Sequence, residues 1–109
     1  MIPRLVSVHW ELGDDRQEAL LTFHVGPSGD KGSEIFSLEV LTLTALAARI
    51  ERDGPVVGRH LLIVDVIYES QVEQMIQDRL RRVAGDNWTE VASKVGRLGH
   101  WEFEDYEPG

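Results

Sequence analysis

A histidine and several carboxylates alternate near the end of the chain, in the segment GRLGHWEFEDYEPG at residues 96–109. His100, Glu102 and Glu104 are two residues apart, so on a β-strand they would share one face and offer one nitrogen and two oxygens to a metal ion. The other histidines are scattered, and no HExxH or paired-histidine spacing supports such a site. We therefore predict no metal and no other cofactor. A metal-dependent or hydrolytic enzyme built on these three residues is the alternative.

Motifs for other kinds of catalysis are absent from the sequence. Two carboxylates that act as acid and base need a pocket that separates their pKa values, and nothing in the sequence marks one. The loop GPSGDKGS at 26–33 joins two predicted strands and does not fit the GxxxxGK[ST] or GxGxxG phosphate-binding patterns. There is no GxSxG nucleophile elbow and no cysteine. The sequence thus predicts a protein that is not an enzyme.

Acidic residues outnumber basic ones, with 19 Asp and Glu against 11 Lys and Arg and a formal net charge of −8. This balance disfavours nucleic acid, whose phosphates need a basic surface, and favours a basic protein partner. No segment approaches the roughly 20 apolar residues that span a bilayer. The first residues, MIPRLVSVHWEL, do not have the pattern of a signal peptide. We expect a cytoplasmic protein that binds neither nucleic acid nor membranes.

Hydrophobic periodicity predicts strands in the first part of the chain. Apolar residues alternate with polar ones over 5–12, 19–25 and 36–40, which is typical of an antiparallel meander with one polar face. That face would carry Ser7, His9, Glu11, Thr22, His24, Ser37 and Glu39. From Thr42, a predicted N-cap, the spacing becomes helical and continues as far as DGP at 53–55.

The second part of the chain predicts one more buried strand and two more helices. The run GRHLLIVDV at 58–66 is apolar on both faces and predicts an interior strand. Ser70 and Glu73 form a capping-box pattern for the second helix. Asn87 caps the third helix, and Gly96 would end it as a left-handed C-cap.

These elements assemble into a single two-layer α+β domain over residues 1–109, with one mostly antiparallel sheet and the helices on one face. The predicted order is β-β-β-α-β-α-α, and residues 100–104 are the candidate for a last strand. We expect Trp88 and Trp101 to be largely buried in the core, and Phe103 to anchor the last strand beside Trp101. No feature of the sequence indicates an oligomeric state.

Three segments of the chain resemble the Immunity protein 8 family. They are VGPSGDKGSEIFSLEVLT at 25–42, GRHLLIVDV at 58–66 and NWTEVASKVGRLGHWEFEDY at 87–106, and the resemblance covers roughly residues 20–106. It implies a small cytoplasmic protein encoded beside a toxin of a bacterial polymorphic or contact-dependent system. Such a protein binds and neutralises its cognate toxin domain, and it has no catalysis of its own.

Two acidic segments, residues 11–18 and 100–109, are the predicted toxin-binding regions. The residues proposed to bind are Glu11, Asp14, Asp15, Glu102, Glu104, Asp105 and Tyr106. We expect both segments to lie near one end or edge of the sheet, where their charge would speed association with a basic toxin cleft. The alternatives are carboxylates that only solvate the surface, and a domain that self-associates through the open sheet face or an edge strand.

Overall fold

The structure is a computed structural model that describes residues 1–27 and 32–103. It contains a five-stranded, mostly antiparallel sheet and three helices in the order β-β-β-α-β-α-α-β, which confirms the predicted α+β class. The elements are β1 (Pro3–Leu12), β2 (Glu18–Pro27), β3 (Glu34–Thr42), α1 (Leu43–Asp53), β4 (Leu61–Val64), α2 (Glu69–Leu80), α3 (Trp88–Val95) and β5 (His100–Trp101). No helix within the described ranges is long and apolar enough to cross a membrane.

Strands β1, β2 and β3 form the predicted antiparallel meander. His9 pairs with Thr22, and Thr22 pairs with Ser37, so the polar residues of the three strands align across one face. The predicted polar sheet face is therefore confirmed. In β1 a bulge at Val6 shifts the register, so that Leu5 packs against the core and Val6 is 45% exposed.

The core lies between the other face of the sheet and two of the helices. Its sheet side consists of alternating residues of β2 and β3, which are Ala19, Leu21, Phe23, Val25, Phe36, Leu38 and Val40. Its helix side consists of Val72, Ile76 and Leu80 from α2 and Val91, Ala92 and Val95 from α3. Burial of each large apolar side chain contributes about 1.5–3 kcal/mol, so this face dominates the stability of the fold.

Two short strands pair with β3 along the edge that faces away from β2. Strand β4 runs parallel to the end of β3, and β5 runs antiparallel to its start. Among the described residues β4 pairs only with β3, so the prediction of an interior strand was wrong. Leu62 and Val64 pack against the core, while Ile63 lies on the opposite face and is 39% exposed. The apolar run thus belongs to an edge strand that follows a crossover helix.

Helix α1 contacts the polar sheet face. Arg49 donates hydrogen bonds to both carboxylate oxygens of Glu39, at 3.0 and 2.6 Å, and to Glu18 at 3.2 Å. Both glutamates point away from the core because they alternate with the buried residues of β3 and β2. Helices α2 and α3 pack on the core face, so α1 departs from the expected placement of all helices on one face. No residue of α1 is fully buried, and an ion pair holds it there.

The ends of α1 and α3 follow the predicted capping. The Thr42 hydroxyl accepts the Ala45 N–H at 3.1 Å, and α1 ends at Gly54, whose φ of 87° suits glycine. At α3 the Asn87 side chain accepts the Glu90 N–H at 2.9 Å. These predictions are confirmed.

Two other capping predictions were wrong. Helix α2 begins before Ser70, after Tyr68, and no side chain caps it. The Ser70–Glu73 capping box therefore does not form. Gly96 has a φ of −59°, which is right-handed. A left-handed residue is unnecessary there because the chain continues in tight turns, with the Leu98 N–H bound to the Val95 carbonyl at 2.9 Å.

Candidate functional site

A tight turn between β1 and β2 carries three of the predicted binding residues. Glu11 ends the polar row of β1, and Asp14 and Asp15 lie in the turn itself. All three side chains are exposed. One Asp15 carboxylate oxygen accepts the Gln17 N–H at 3.1 Å, so this aspartate also shapes the turn. We refer to Glu11, Asp14 and Asp15 together as the acidic turn.

The acidic turn is fixed to the rest of the molecule on two sides. Arg16 donates to the carboxylate of Glu69 and, at 3.2 Å, to the carbonyl of Ile67, at the start of α2. The Gln17 carbonyl accepts the Thr42 N–H at 3.0 Å, and the Thr42 hydroxyl donates to the Gln17 side chain. A surface held in this way loses little conformational entropy when a partner binds.

The polar sheet face continues directly from the acidic turn. His9 lies 3.7 Å from Glu11, measured between Nε2 and Oε1, and both side chains are exposed. Leu20 pairs with Glu11 across the strands and is 42% exposed, so the face also offers one apolar contact. The result is a polar surface of three strands, contacted by α1 at Glu39 and Glu18, with its acidic residues concentrated at one end.

The ion pair between Arg49 and Glu39 borders this face. The hydrogen bonds from the Arg49 guanidinium lower the pKa of the Glu39 carboxyl below its ordinary value of 4.5. Burial acts in the opposite direction, but its effect is smaller. The same contacts raise the pKa of Arg49. Both groups are therefore charged at neutral pH, and their charges largely offset one another.

The described part of the second predicted acidic segment, residues 100–103, lies at the other end of the sheet. The Glu102 N–H donates to the Ile35 carbonyl at 3.1 Å, near the start of β3, whereas the acidic turn lies beside Thr42 at the end of β3. Seven residues of extended strand separate these positions by about 20 Å. We expected the two segments to lie near one end or edge of the sheet. Their described residues instead lie at opposite ends of β3. Glu104, Asp105 and Tyr106 lie outside the described residues, and their binding roles stay predictions.

His100 and Glu102 are also the described members of the alternative metal site. The His100 ring meets the His60 ring edge to face, with centroids 5.5 Å apart. Within residues 1–27 and 32–103, no three His, Asp or Glu side chains are grouped so that they could hold a metal ion. Glu104, the third member, lies outside those ranges, so the absence of a metal stays a prediction.

The two predicted core tryptophans converge on one carboxylate. The indole N–H groups of Trp88 and Trp101 each donate to a different oxygen of Glu34, both at 3.3 Å. Both rings are half-buried against the core, and Trp101 stacks on Phe36 with centroids 6.4 Å apart. Their packing against the core is confirmed, although neither is fully buried. Phe103 meets the Trp101 ring edge to face, with centroids 5.9 Å apart, as expected, but it is 44% exposed and does not reach the core.

The segments GRH and GRLG, which carry much of the family resemblance, have structural roles. The His60 ring donates from Nε2 to the Gly96 carbonyl at 2.8 Å and so joins the start of β4 to the end of α3. Gly99 lies against the Phe23 ring, where an added Cβ would come within 2.7 Å of Cζ. These residues hold the fold together and are not part of the acidic surface.

A basic cleft is the feature that our reading of the sequence missed. It has a volume of about 780 Å³ and lies between the start of β4 and the C-terminal ends of α2 and α3. Its basic residues are Arg59, Arg79, Arg82, Lys94 and Arg97, and no described acidic residue lines it. The sequence does contain a signal for this cleft. At the end of each helix two basic residues are three positions apart, Arg79 with Arg82 and Lys94 with Arg97.

The described residues thus form an α+β frame that presents an acidic turn and a polar sheet face and shows no grouped metal ligands. The family model of Immunity protein 8 matches residues 7–106. The chain belongs to this family, whose members are toxin inhibitors and not enzymes, which confirms the resemblance and the predicted lack of enzyme activity. Neither the curated proteins nor the solved structures include a match.

Proposed function

We propose that the chain is a cytoplasmic immunity protein that binds and neutralises the toxin domain encoded beside it. The observation that carries this proposal is membership of the Immunity protein 8 family over residues 7–106. The formal net charge of −8 supports a basic toxin domain, because opposite charges draw the two proteins together before they dock.

The acidic turn is the proposed first point of contact. Its three carboxylates are exposed, and the neighbouring cation, Arg16, is bound to Glu69 and contributes less to the local potential. The turn is also held in place by Gln17 and Thr42, so a toxin meets a preformed surface. This arrangement suits electrostatic steering, which raises the association rate more than the final affinity.

A stable complex needs more area than the acidic turn alone, and the adjoining polar sheet face is the proposed second part of the interface. A typical interface covers about 800 Å² on each partner, which corresponds to a patch about 30 Å across. The acidic turn and Glu102 are separated by about 20 Å along β3. One toxin domain seated on this face could therefore touch both ends, and Glu102, Glu104, Asp105 and Tyr106 remain proposed contacts at the second end.

Co-expression with the C-terminal domain of the neighbouring toxin tests this function. We expect the chain to restore growth of cells that express this domain, and to co-purify with a tagged, inactivated form of it. A toxin domain from an unrelated system is the matched control and should be neither neutralised nor captured. Failure of both rescue and co-purification would contradict the proposal. A stable homo-oligomer in light scattering, without toxin capture, would favour the self-associating domain instead.

A further inference from the structure

Charge is strongly segregated in this molecule. Five of the 11 basic residues line the basic cleft, and none of the described carboxylates does. The other described residues therefore include five basic side chains against 15 acidic ones. A cleft of positive charge in so acidic a protein is not a by-product of overall composition.

The floor of the basic cleft is apolar and partly open. Its half-buried residues are Leu61, Leu62, Met75, Val83 and Leu98, and below them lie the buried residues Leu38, Leu80 and Val95. A ligand that covered this floor would remove apolar surface from water, which favours binding. The ligand therefore needs apolar groups as well as negative charge.

Three of the cations have no counter-charge among the described residues. The guanidinium groups of Arg79, Arg82 and Arg97 make no ion pair or hydrogen bond with any residue in 1–27 or 32–103. Lys94 differs, since it binds the Ala84 carbonyl at 2.6 Å and lies 3.2 Å from Glu90. Like charges gathered around one concave surface repel one another, and an anionic ligand would relieve that repulsion.

The size and surroundings of the cleft favour a short peptide over other anions. Its cations come from three separate segments around a volume of about 780 Å³, and carboxylates spaced along a peptide suit such a spread of charge better than one compact anion does. Strand β4 forms one wall, and among the described residues its outer edge has no strand partner, as in sites that bind extended peptides. A long nucleic acid would run out of the cleft onto acidic surface, which would repel its phosphates.

We propose that the basic cleft binds an acidic, amphipathic peptide segment of a protein partner. The carboxylates of the segment face Arg79, Arg82 and Arg97, and its apolar side chains rest on the leucine- and valine-rich floor. This site is opposite in charge to the acidic turn and does not depend on the proposed neutralisation of a toxin.

Fluorescence anisotropy with labelled decapeptides tests the proposal on the full chain. The probe alternates Glu and Leu, and the controls alternate Lys with Leu and Glu with Ser. We expect the Glu–Leu peptide to bind at least about tenfold more tightly than either control, because binding needs both charge and apolar contact. Equal binding of the Glu–Ser peptide, no binding of the Glu–Leu peptide, or tighter binding of a single-stranded oligonucleotide would overturn the proposal.

Matched double variants locate the binding. Arg79→Glu with Arg97→Glu alters the cleft, and Arg4→Glu with Arg81→Glu makes the same change of net charge outside it. We expect the first pair to weaken Glu–Leu binding by about tenfold or more and the second by less than about twofold. Circular dichroism checks the fold, and Arg79→Gln with Arg97→Gln replaces the first pair if it misfolds. Equal weakening by both pairs would contradict the proposed site.

Discussion

The Glu34 carboxylate accepts an indole N–H from both Trp88 and Trp101, and so links β3 to α3 and to β5. Glu34→Gln removes the charge and presents an amide N–H₂ to one of the two indole donors. We expect the free energy of unfolding to fall by about 1–3 kcal/mol, as for a lost hydrogen bond to a charged group.

Urea denaturation at neutral pH measures this change. Glu102→Gln is the matched control, because it removes the same charge from an exposed side chain nearby and should leave stability almost unchanged. A Glu34→Gln protein as stable as the parent would show that the carboxylate does not hold the two tryptophans in place.

Gly99 lies in the α3–β5 connection, directly against the core. A Cβ at this position would lie 2.7–2.8 Å from the Phe23 ring and 3.2 Å from the Ser37 carbonyl. Gly99→Ala must therefore displace a fully buried phenylalanine, and we expect it to destabilise the fold by about 1–3 kcal/mol. Thermal and urea unfolding measure the loss. Gly58→Ala, whose added Cβ meets no atom within 4 Å, should have little effect, and equal effects of the two changes would refute this role of Gly99.

At the scale of elements, helix α1 depends on Arg49 for its attachment to the sheet. The guanidinium is mostly shielded and binds Glu39 with two hydrogen bonds. Because this contact lowers the pKa of Glu39 in the folded protein, its stabilisation is present above the ordinary value of 4.5 and is lost as the pH falls through the lower, folded pKa. We expect Arg49→Met to cost about 1 kcal/mol at neutral pH.

The pH dependence distinguishes this ion pair from a general loss of packing. The stability difference between the parent and Arg49→Met, measured by urea unfolding, should shrink as the pH is lowered below 4.5. Arg52→Met is the control, because Arg52 pairs with its exposed neighbour Asp53 and should change stability little at any pH. A difference that stayed constant with pH would contradict the role assigned to the Arg49–Glu39 pair.

Strands with a clear alternation of apolar and polar residues, and helices with a local cap, were predictable from the sequence. Features that depend on which elements pack together were not. The alternation in β1–β3 and the caps at Thr42 and Asn87 are local signals, and they gave correct predictions. The edge position of β4 follows from the crossover through α1, which no local pattern reports. The Ser70 cap failed because α2 starts earlier, after Tyr68, where no side-chain cap marks its start.

The candidate site was predictable only in part, for a similar reason. Exposure of Glu11, Asp14 and Asp15 follows from the turn and the strand period. Their separation from Glu102 by the length of β3 depends on strand pairing, which the sequence does not specify. The basic cleft likewise combines residues from three elements, so its charge becomes evident only once the chain is folded.

At the scale of the whole molecule, opposite charges occupy different surfaces. The polar sheet face lies on the side away from the core helices, and the acidic turn lies at the end of the sheet where β1 meets β2. The basic cleft lies between β4 and the ends of α2 and α3. Such an arrangement orients the protein in the field of a charged partner. In the proposed function a basic toxin domain meets the acidic turn first, which leaves the basic cleft for the acidic partner that we propose for it.

The most direct test of toxin capture by the acidic turn is the rate of association with the toxin domain as a function of ionic strength. The test variant combines Glu11→Gln, Asp14→Asn and Asp15→Asn. The control, with the same change of net charge, combines Glu51→Gln, Glu73→Gln and Asp86→Asn, which are spread over different parts of the fold. We expect association of the test variant to slow by about tenfold at low ionic strength and the control to change by less than about twofold, with the difference shrinking as salt is added. Equal rates for the two variants at low ionic strength would contradict the account.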